Sequence, residues 1–254
     1  MNRRTLLFGA TASLLLPQAA WADGHEANQK GRVLILGATG RIGPFIAKVI
    51  AADGYTVRAT TRNPARARER FGDAYEWVHA DVRDPRTLVD PMKDVDYVVS
   101  SIRSSQWTGP YSPEMVDYHG MRNLVDAAQG AGVKHVVLVS TATSGPQVDQ
   151  SKNPAKNYVR YFKTKGEQYL RESGMSYTII APGRVPQEDG GKIPFILLDR
   201  KDYYVSRIAA GDIGLVVLDA FTNPEARGKA FAMRNEPSVP LGHWRTQYAA
   251  MPSQ

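Results

Sequence analysis

Gly37, Gly40 and Gly43 stand three residues apart between a short apolar run, Arg32-Val33-Leu34-Ile35-Leu36, and a stretch of helical spacing from Ile42 to Ala52. A strand that turns through glycines into a helix is built to receive phosphate. Gly37 permits the sharp turn, Gly40 lets the backbone approach a pyrophosphate, and Gly43 lets the helix pack close to the strand. The free N–H groups of the helix then face the anion. Thr39, Arg41 and Ile42 fill the corner between the glycines and complete its lining. The chemistry expected here is dinucleotide binding. The bland alternative is a glycine-rich βα turn that binds nothing.

The next chemistry-bearing residues follow the second apolar stretch, Tyr55 to Thr61. An acid at that place would bind the adenosine ribose hydroxyls, whereas the chain offers Thr61, Arg62 and Asn63. An arginine there suits a 2′-phosphate through charge-assisted hydrogen bonds, so the sequence favours NADP over NAD. Arg62 as a solvated surface residue is the competing reading. Further on, Asp81 is placed to bond the adenine amino group while Val82 packs on the ring; an Asp that only turns the chain explains the same residue. Ser100 and the pair Pro182-Gly183 close the fourth and sixth apolar stretches, at strand carboxyl ends where ligands lie in sheets of this kind.

These residues need a scaffold, and the pattern supplies one. Apolar stretches at Tyr75–His79, Val95–Ser100, Lys134–Ser140 and Tyr177–Ala181 alternate with helical patterns at Pro64–Arg70, Pro113–Gln129 and Tyr158–Ser173. Such alternation predicts an α/β Rossmann-type fold, a doubly wound parallel sheet covered on both faces. Val185 to Val205 reads as an irregular substrate-side flap, within a segment 184–208. Ala210 to Phe221 reads as a helix with Asp212 in its first turn, a cap rather than a catalytic acid. Lys229 to Arg234 reads as a last strand. The expected organisation is a signal peptide over 1–22, a loose leader over 23–30, one domain over 31–236 and a tail over 237–254 that carries Trp244 and Tyr248.

Composition bounds the chemistry. The 254 residues contain no cysteine, which excludes disulfides, thiolate catalysis and thiolate metal sites. The histidines have no spacing that suggests a metal site. The formal net charge of +7 is spread along the chain, with one arginine-rich stretch from Arg62 to Arg68, which points to small anionic ligands rather than nucleic acid. At the amino end, Arg3-Arg4 precedes a moderately apolar run from Leu6 to Leu16, then Pro17 and the small-x-small site Ala20-Trp21-Ala22. This pattern reads as a signal peptide of twin-arginine type, too short to span a membrane in the mature chain, and it sends the protein to the periplasm through the export machinery. Without residues 1–22 the chain loses two arginines and no acid, which takes the net charge to +5.

Taken in order, Gly37-Ala38-Thr39-Gly40-Arg41-Ile42-Gly43, Thr61-Arg62-Asn63-Pro64, Ala80-Asp81-Val82-Arg83-Asp84, Gly120 to Ala128, Val137 to Thr141, Lys163 to Glu167, Tyr177 to Gly183 and Ala210 to Ile213 resemble the atypical, NmrA-like branch of the short-chain dehydrogenase/reductase superfamily. The resemblance implies an NAD(P)-binding domain with a small substrate part. In catalytic members of that superfamily, a Tyr donates a proton, a Lys four residues on holds the nicotinamide ribose, and a Ser or Thr after the fifth strand orients the carbonyl. Tyr161 and Lys165 have that spacing, and Thr141, Thr143 and Ser140 are the candidate hydroxyls, with Ser140 better read as a strand-end residue. The family's usual Glu, four residues after the Lys, gives a second register: Glu167 selects Lys163, and Val159 then stands where the Tyr should be. The resemblance therefore carries two functions. One is an exported NADP(H)-dependent oxidoreductase acting on a small carbonyl, enone or alcohol. The other is a non-catalytic NAD(P)-binding sensor or assembly factor.

Overall fold

The computed structural model describes residues 30–146, Val148 and residues 158–253. The expected signal peptide, nearly all of the expected leader and most of the 147–157 stretch lie outside the described residues. Eight strands, β1 (Arg32–Leu36), β2 (Thr56–Thr61), β3 (Glu76–His79), β4 (Tyr97–Ser100), β5 (His135–Val139), β6 (Tyr177–Pro182), β7 (Phe195–Leu198) and β8 (Lys229–Asn235), form one sheet in the order β3-β2-β1-β4-β5-β6-β8-β7. All neighbours are parallel except β7 and β8. The chain winds outward from β1 through β2 to β3, then returns to place β4 on the other side of β1. That reversal opens a crevice at the carboxyl ends of β1 and β4, where the glycine corner lies.

Side-chain alternation divides the sheet between two cores. In β1, Val33 and Ile35 enter one core while Leu34 and Leu36 enter the other; in β5, Val137 and Val139 oppose Val136 and Leu138. Helices α1 (Gly43–Ala52), α2 (Pro64–Phe71) and α6 (Ala210–Ala220) cover the first face. Helices α3 (Arg86–Val89), α4 (Gly120–Gly130) and α5 (Tyr158–Glu172) cover the second. Strands buried on both faces read as continuous apolar runs, which is why this part of the fold is legible in the sequence. Among the described residues, no helix is long and apolar enough to cross a membrane.

The structure departs from the sequence reading in three places. The helix expected from Pro113 begins as a wide turn over Glu114–His119, where Gly120 N–H bonds back to Met115 O, and only then becomes α4. Periodicity does not distinguish such a turn from an α-helix. The supposedly irregular 185–205 stretch contains β7, whose Phe195 and Leu197 point into the core while it pairs antiparallel with β8. Four residues at a sheet edge are too few to show a period. In the tail, Trp244 and Tyr248 are fully buried in the α1/α6-side core, with Trp244 stacked 5.4 Å from Phe195.

Candidate functional site

Gly37 ends β1 with φ +84°, and a Cβ there would lie 2.9 Å from the backbone of Ser101. Gly40 N–H donates to Gly37 O at 2.9 Å and closes the turn. A Cβ on Gly43 would lie 2.2 Å from Gly37 O, so only glycine lets α1 start against the strand. The first turn of α1 carries no acidic residue, which leaves its positive end open to an anion. Backbone alone, with no side chain in the way, therefore forms a cradle for a diphosphate.

From this corner a cleft of about 450 Å³ runs towards β2 and β3. Arg62, Arg66, Arg70, Arg83 and Arg103 line it, with Asp81 as the acid among them. Asn63 accepts from Arg66 N–H at 3.0 Å and caps α2, which fixes Arg62 at the mouth. The Arg62 and Arg83 guanidinium carbons lie 4.6 and 3.8 Å from the centroid of the Tyr111 ring. Asp81 accepts from the backbone N–H of Arg83 at 3.0 Å and from its Nε at 2.9 Å. The hydrogen bond from the Arg83 guanidinium holds the Asp81 carboxyl below its usual pKa despite partial burial. Asp81 thus has a partner on its own loop, and four arginines of the cleft lack a carboxylate ion partner among the described residues.

The remaining expected residues fall around this cleft. Thr39 and Val82 line it. Arg41 is exposed on the corner, with Ile42 behind it. Ser100 is fully buried in β4, and its neighbours Ser101 and Ile102 line the wall in its stead. Pro182 and Gly183 close β6 outside the cleft; a Cβ on Gly183 would fall 1.6 Å from the Tyr203 hydroxyl, so that phenol lies directly on the glycine.

Helix α5 separates the two lysines. Lys163 Nζ forms an ion pair with the buried Asp117 at 2.8 Å and lies 3.5 Å from Ile102 O, on the wall of the cleft. Lys165 points to another face, where its Nζ lies 5.3 Å from the Tyr161 ring centroid and 5.6 Å from that of Tyr118. The structure brings Lys163, but not Tyr161 or Lys165, to the carboxyl edge beside Ile102. Thr141 follows β5 and its carbonyl accepts from Arg200 Nη2 at 2.8 Å.

Behind Thr141 lies a buried charge cluster. Glu167 is fully buried and accepts from Arg200 Nη1 at 2.7 Å, Arg171 Nη2 at 3.1 Å, Ser144 Oγ at 2.7 Å and Ser140 Oγ. Burial alone would raise the Glu167 pKa, but the Arg200 charge and these donors outweigh it and hold the carboxyl below its ordinary value. Arg200 ties the segment after β7 to α5 and to the loop after β5. Sequence reasoning missed Arg200, Asp117, Tyr111 and Tyr203, since their partners lie tens of residues away. The Arg83 partner, two residues from Asp81, was the one such signal available locally.

Residues 37–224 match the model of a family described as NAD(P)H-binding. The chain belongs to that NAD(P)H-binding family. It is 27% identical over 270 residues to a sanguinarine reductase of Eschscholzia californica, covering 90% of this chain and 97% of the relative. It is 28% identical over 210 residues to an NAD(P)H azoreductase of Xenophilus azovorans, covering 78% and 66%. A putative NAD-dependent epimerase/dehydratase from Bacillus halodurans superposes with a TM-score of 0.70 at 23% identity, over 81% of this chain and 94% of that one. The match begins at Gly37, in the corner described above, and the superposed neighbour shares the doubly wound sheet.

Proposed function

We propose that this member of the NAD(P)H-binding family is an exported reductase that uses NADP(H). The observation that carries the reading is the cleft itself: a backbone diphosphate cradle opening onto an arginine-lined arm whose carboxylate, Asp81, is already paired. A 2′-phosphate would gain charge-assisted bonds from Arg62 and its neighbours, which supports NADP over NAD. When bound, the nicotinamide would supply a hydride to a small carbonyl, enone or other conjugated acceptor. Lys163, held by Asp117, would grip the nicotinamide ribose, and Thr141 would orient the acceptor. The reductase names of the two relatives support this class of reaction. Export rests on Arg3-Arg4 and Ala20-Trp21-Ala22.

One observation favours a second reading, an NAD(P)-binding sensor or assembly factor. Val159, four residues before Lys163, brings no phenol to that face of α5. Titration of NADPH and NADH by nicotinamide fluorescence, followed by absorbance assays with a panel of carbonyl acceptors, separates the two. Tyr161→Phe is the deciding variant. Turnover reduced roughly 100-fold with NADPH binding intact assigns the proton to the Tyr161–Lys165 face. Turnover kept within about threefold leaves Lys163 and Thr141 as the working pair. Tight NADPH binding with no turnover by the unaltered chain favours the sensor.

A further inference from the structure

Three successive strand ends carry groups able to meet a carbonyl: Lys163 beside Ile102 after β4, Thr141 after β5, and Tyr203 over Gly183 after β6. The arginine-lined cleft lies on the β2 and β3 side of the glycine corner, so the other half of a dinucleotide runs the opposite way, over β4, β5 and β6. Tyr203 reaches β6 because the chain after β7 turns back across the carboxyl edge. Arg200 anchors the start of that crossing: its guanidinium bonds the buried Glu167 at 2.7 Å and Thr141 O at 2.8 Å. Arg184, the residue after Gly183, anchors the end. Its N–H donates to Ser206 O and its carbonyl accepts from Ile208 N–H, both at 3.1 Å. Between these anchors the Tyr203 phenol lies on Gly183, at the place where any Cβ would stand. Ala142 N–H donates to Pro182 O at 2.9 Å, which sets Thr141 and Gly183 on adjoining strand ends. The phenol oxygen accepts from Ser206 N–H at 3.3 Å, and among the described residues its own hydrogen has no acceptor. Tyr203 is partly exposed, so that hydrogen is available to a bound molecule. Helix α5 brings no phenol to this edge, since Val159 stands before Lys163 and Tyr161 faces Lys165 on the other side.

We propose that Tyr203 is the proton donor for the hydride transfer, a catalytic residue supplied by the β7 segment in place of the phenol that α5 lacks. This rests on the reductase reading of the same site. The acceptor's carbonyl carbon takes the hydride from bound NADPH, and the π pair of the C=O bond moves to oxygen. That oxygen takes the proton from Tyr203 Oη as the phenol O–H bond breaks, and the phenolate recovers a proton from water. Ser206 N–H, already on Oη, meets the charge that gathers there. The buried Arg200–Glu167 pair then serves the chemistry: it holds the phenol to one position, and general-acid catalysis depends on such placement.

Tyr203→Phe keeps the ring and removes only the hydroxyl, and the full chain gives two readouts. The first needs no turnover: benzamide, whose carbonyl accepts a hydrogen bond but takes no hydride, is titrated against the nicotinamide fluorescence of the NADPH complex. Tyr203→Phe should weaken benzamide roughly tenfold and leave NADPH affinity within about twofold. The second readout follows nicotinamide absorbance with acetophenone and trifluoroacetophenone. The trifluoromethyl group makes the product alkoxide a weaker base, so it needs less help from an acid. The variant should lose roughly 100-fold in kcat on acetophenone and only about tenfold on trifluoroacetophenone. Tyr204→Phe, next along the chain, should stay within about twofold in both readouts. Equal losses on the two ketones give Tyr203 a positioning role and overturn the proposal. Unchanged benzamide binding with full turnover overturns it too, and in both cases the reductase reading stands. NADPH uptake with neither ketone reduced by the unaltered chain overturns the hydride-transfer reading and the donor together.

Discussion

The two ends of the site are held by opposite physics. At the glycine corner, the groups on offer are backbone N–H and exposed guanidinium, and the shape depends on residues with no side chain: Gly37, Gly40 and Gly43. At the α5 end, positions are set by buried ions: Asp117 on Lys163, and Glu167 on Arg200. The first arm can tolerate loss of any one arginine, because water screens the charge and neighbours share it. The second cannot lose a partner without stranding a charge in a low-dielectric core. The contrast teaches that the charge of the cleft and the shape of the α5 end are separable properties of this fold.

Breaking the buried end should cost most. Arg200→Met removes the nearer of the two guanidinium partners of Glu167, leaving Arg171, and should destabilise the chain by roughly 3 kcal/mol in urea unfolding. The double variant Arg200→Met/Glu167→Leu should recover most of that loss; if it does not, Arg200 acts through packing instead of charge. Next comes the glycine end. Gly43→Ala forces a Cβ against Gly37 O, should cost about 2–3 kcal/mol and should abolish saturable NADPH uptake. Retained uptake would mean that the corner yields and is not the cradle.

A buried group outside both arms sharpens the comparison. His135 in β5 bonds Ser176 Oγ at 2.8 Å and Thr178 Oγ1 at 3.0 Å. Burial, with Arg227 adding to it, pushes its pKa down to about 4. The unfolded chain takes up this proton near pH 6.5 and the native chain only near 4. Stability is therefore full above 6.5 and falls as the pH drops, by roughly 2 kcal/mol at pH 5. His135→Gln should flatten that limb of the stability profile. The smallest effect belongs to the exposed arm. Arg62→Ala should weaken NADPH roughly tenfold and leave NADH nearly unchanged, shrinking the preference by the same factor. An unaltered preference would move the 2′-phosphate contact to Arg66 or Arg83, or remove it.

The sequence by itself determined the doubly wound sheet and the glycine corner. Both rest on local rules: strands buried on two faces read as unbroken apolar runs, and a corner that excludes Cβ atoms reads as glycines at fixed spacing. It also placed Arg62 beside the corner, since the second strand ends there in every such winding. Only the tertiary structure decided that Lys163 and not Lys165 reaches the Ile102 wall, and that Arg200 crosses from the β7 segment to Glu167. The same holds for Trp244 and Tyr248, which the tail delivers to the core. Lys163 and Lys165 differ by two positions, and it is the packing of α5 on Asp117 that selects between them. Asp117 and Lys163 are 46 positions apart in the chain, and nothing in local spacing records a meeting that depends on how helices rotate about their axes as the core packs.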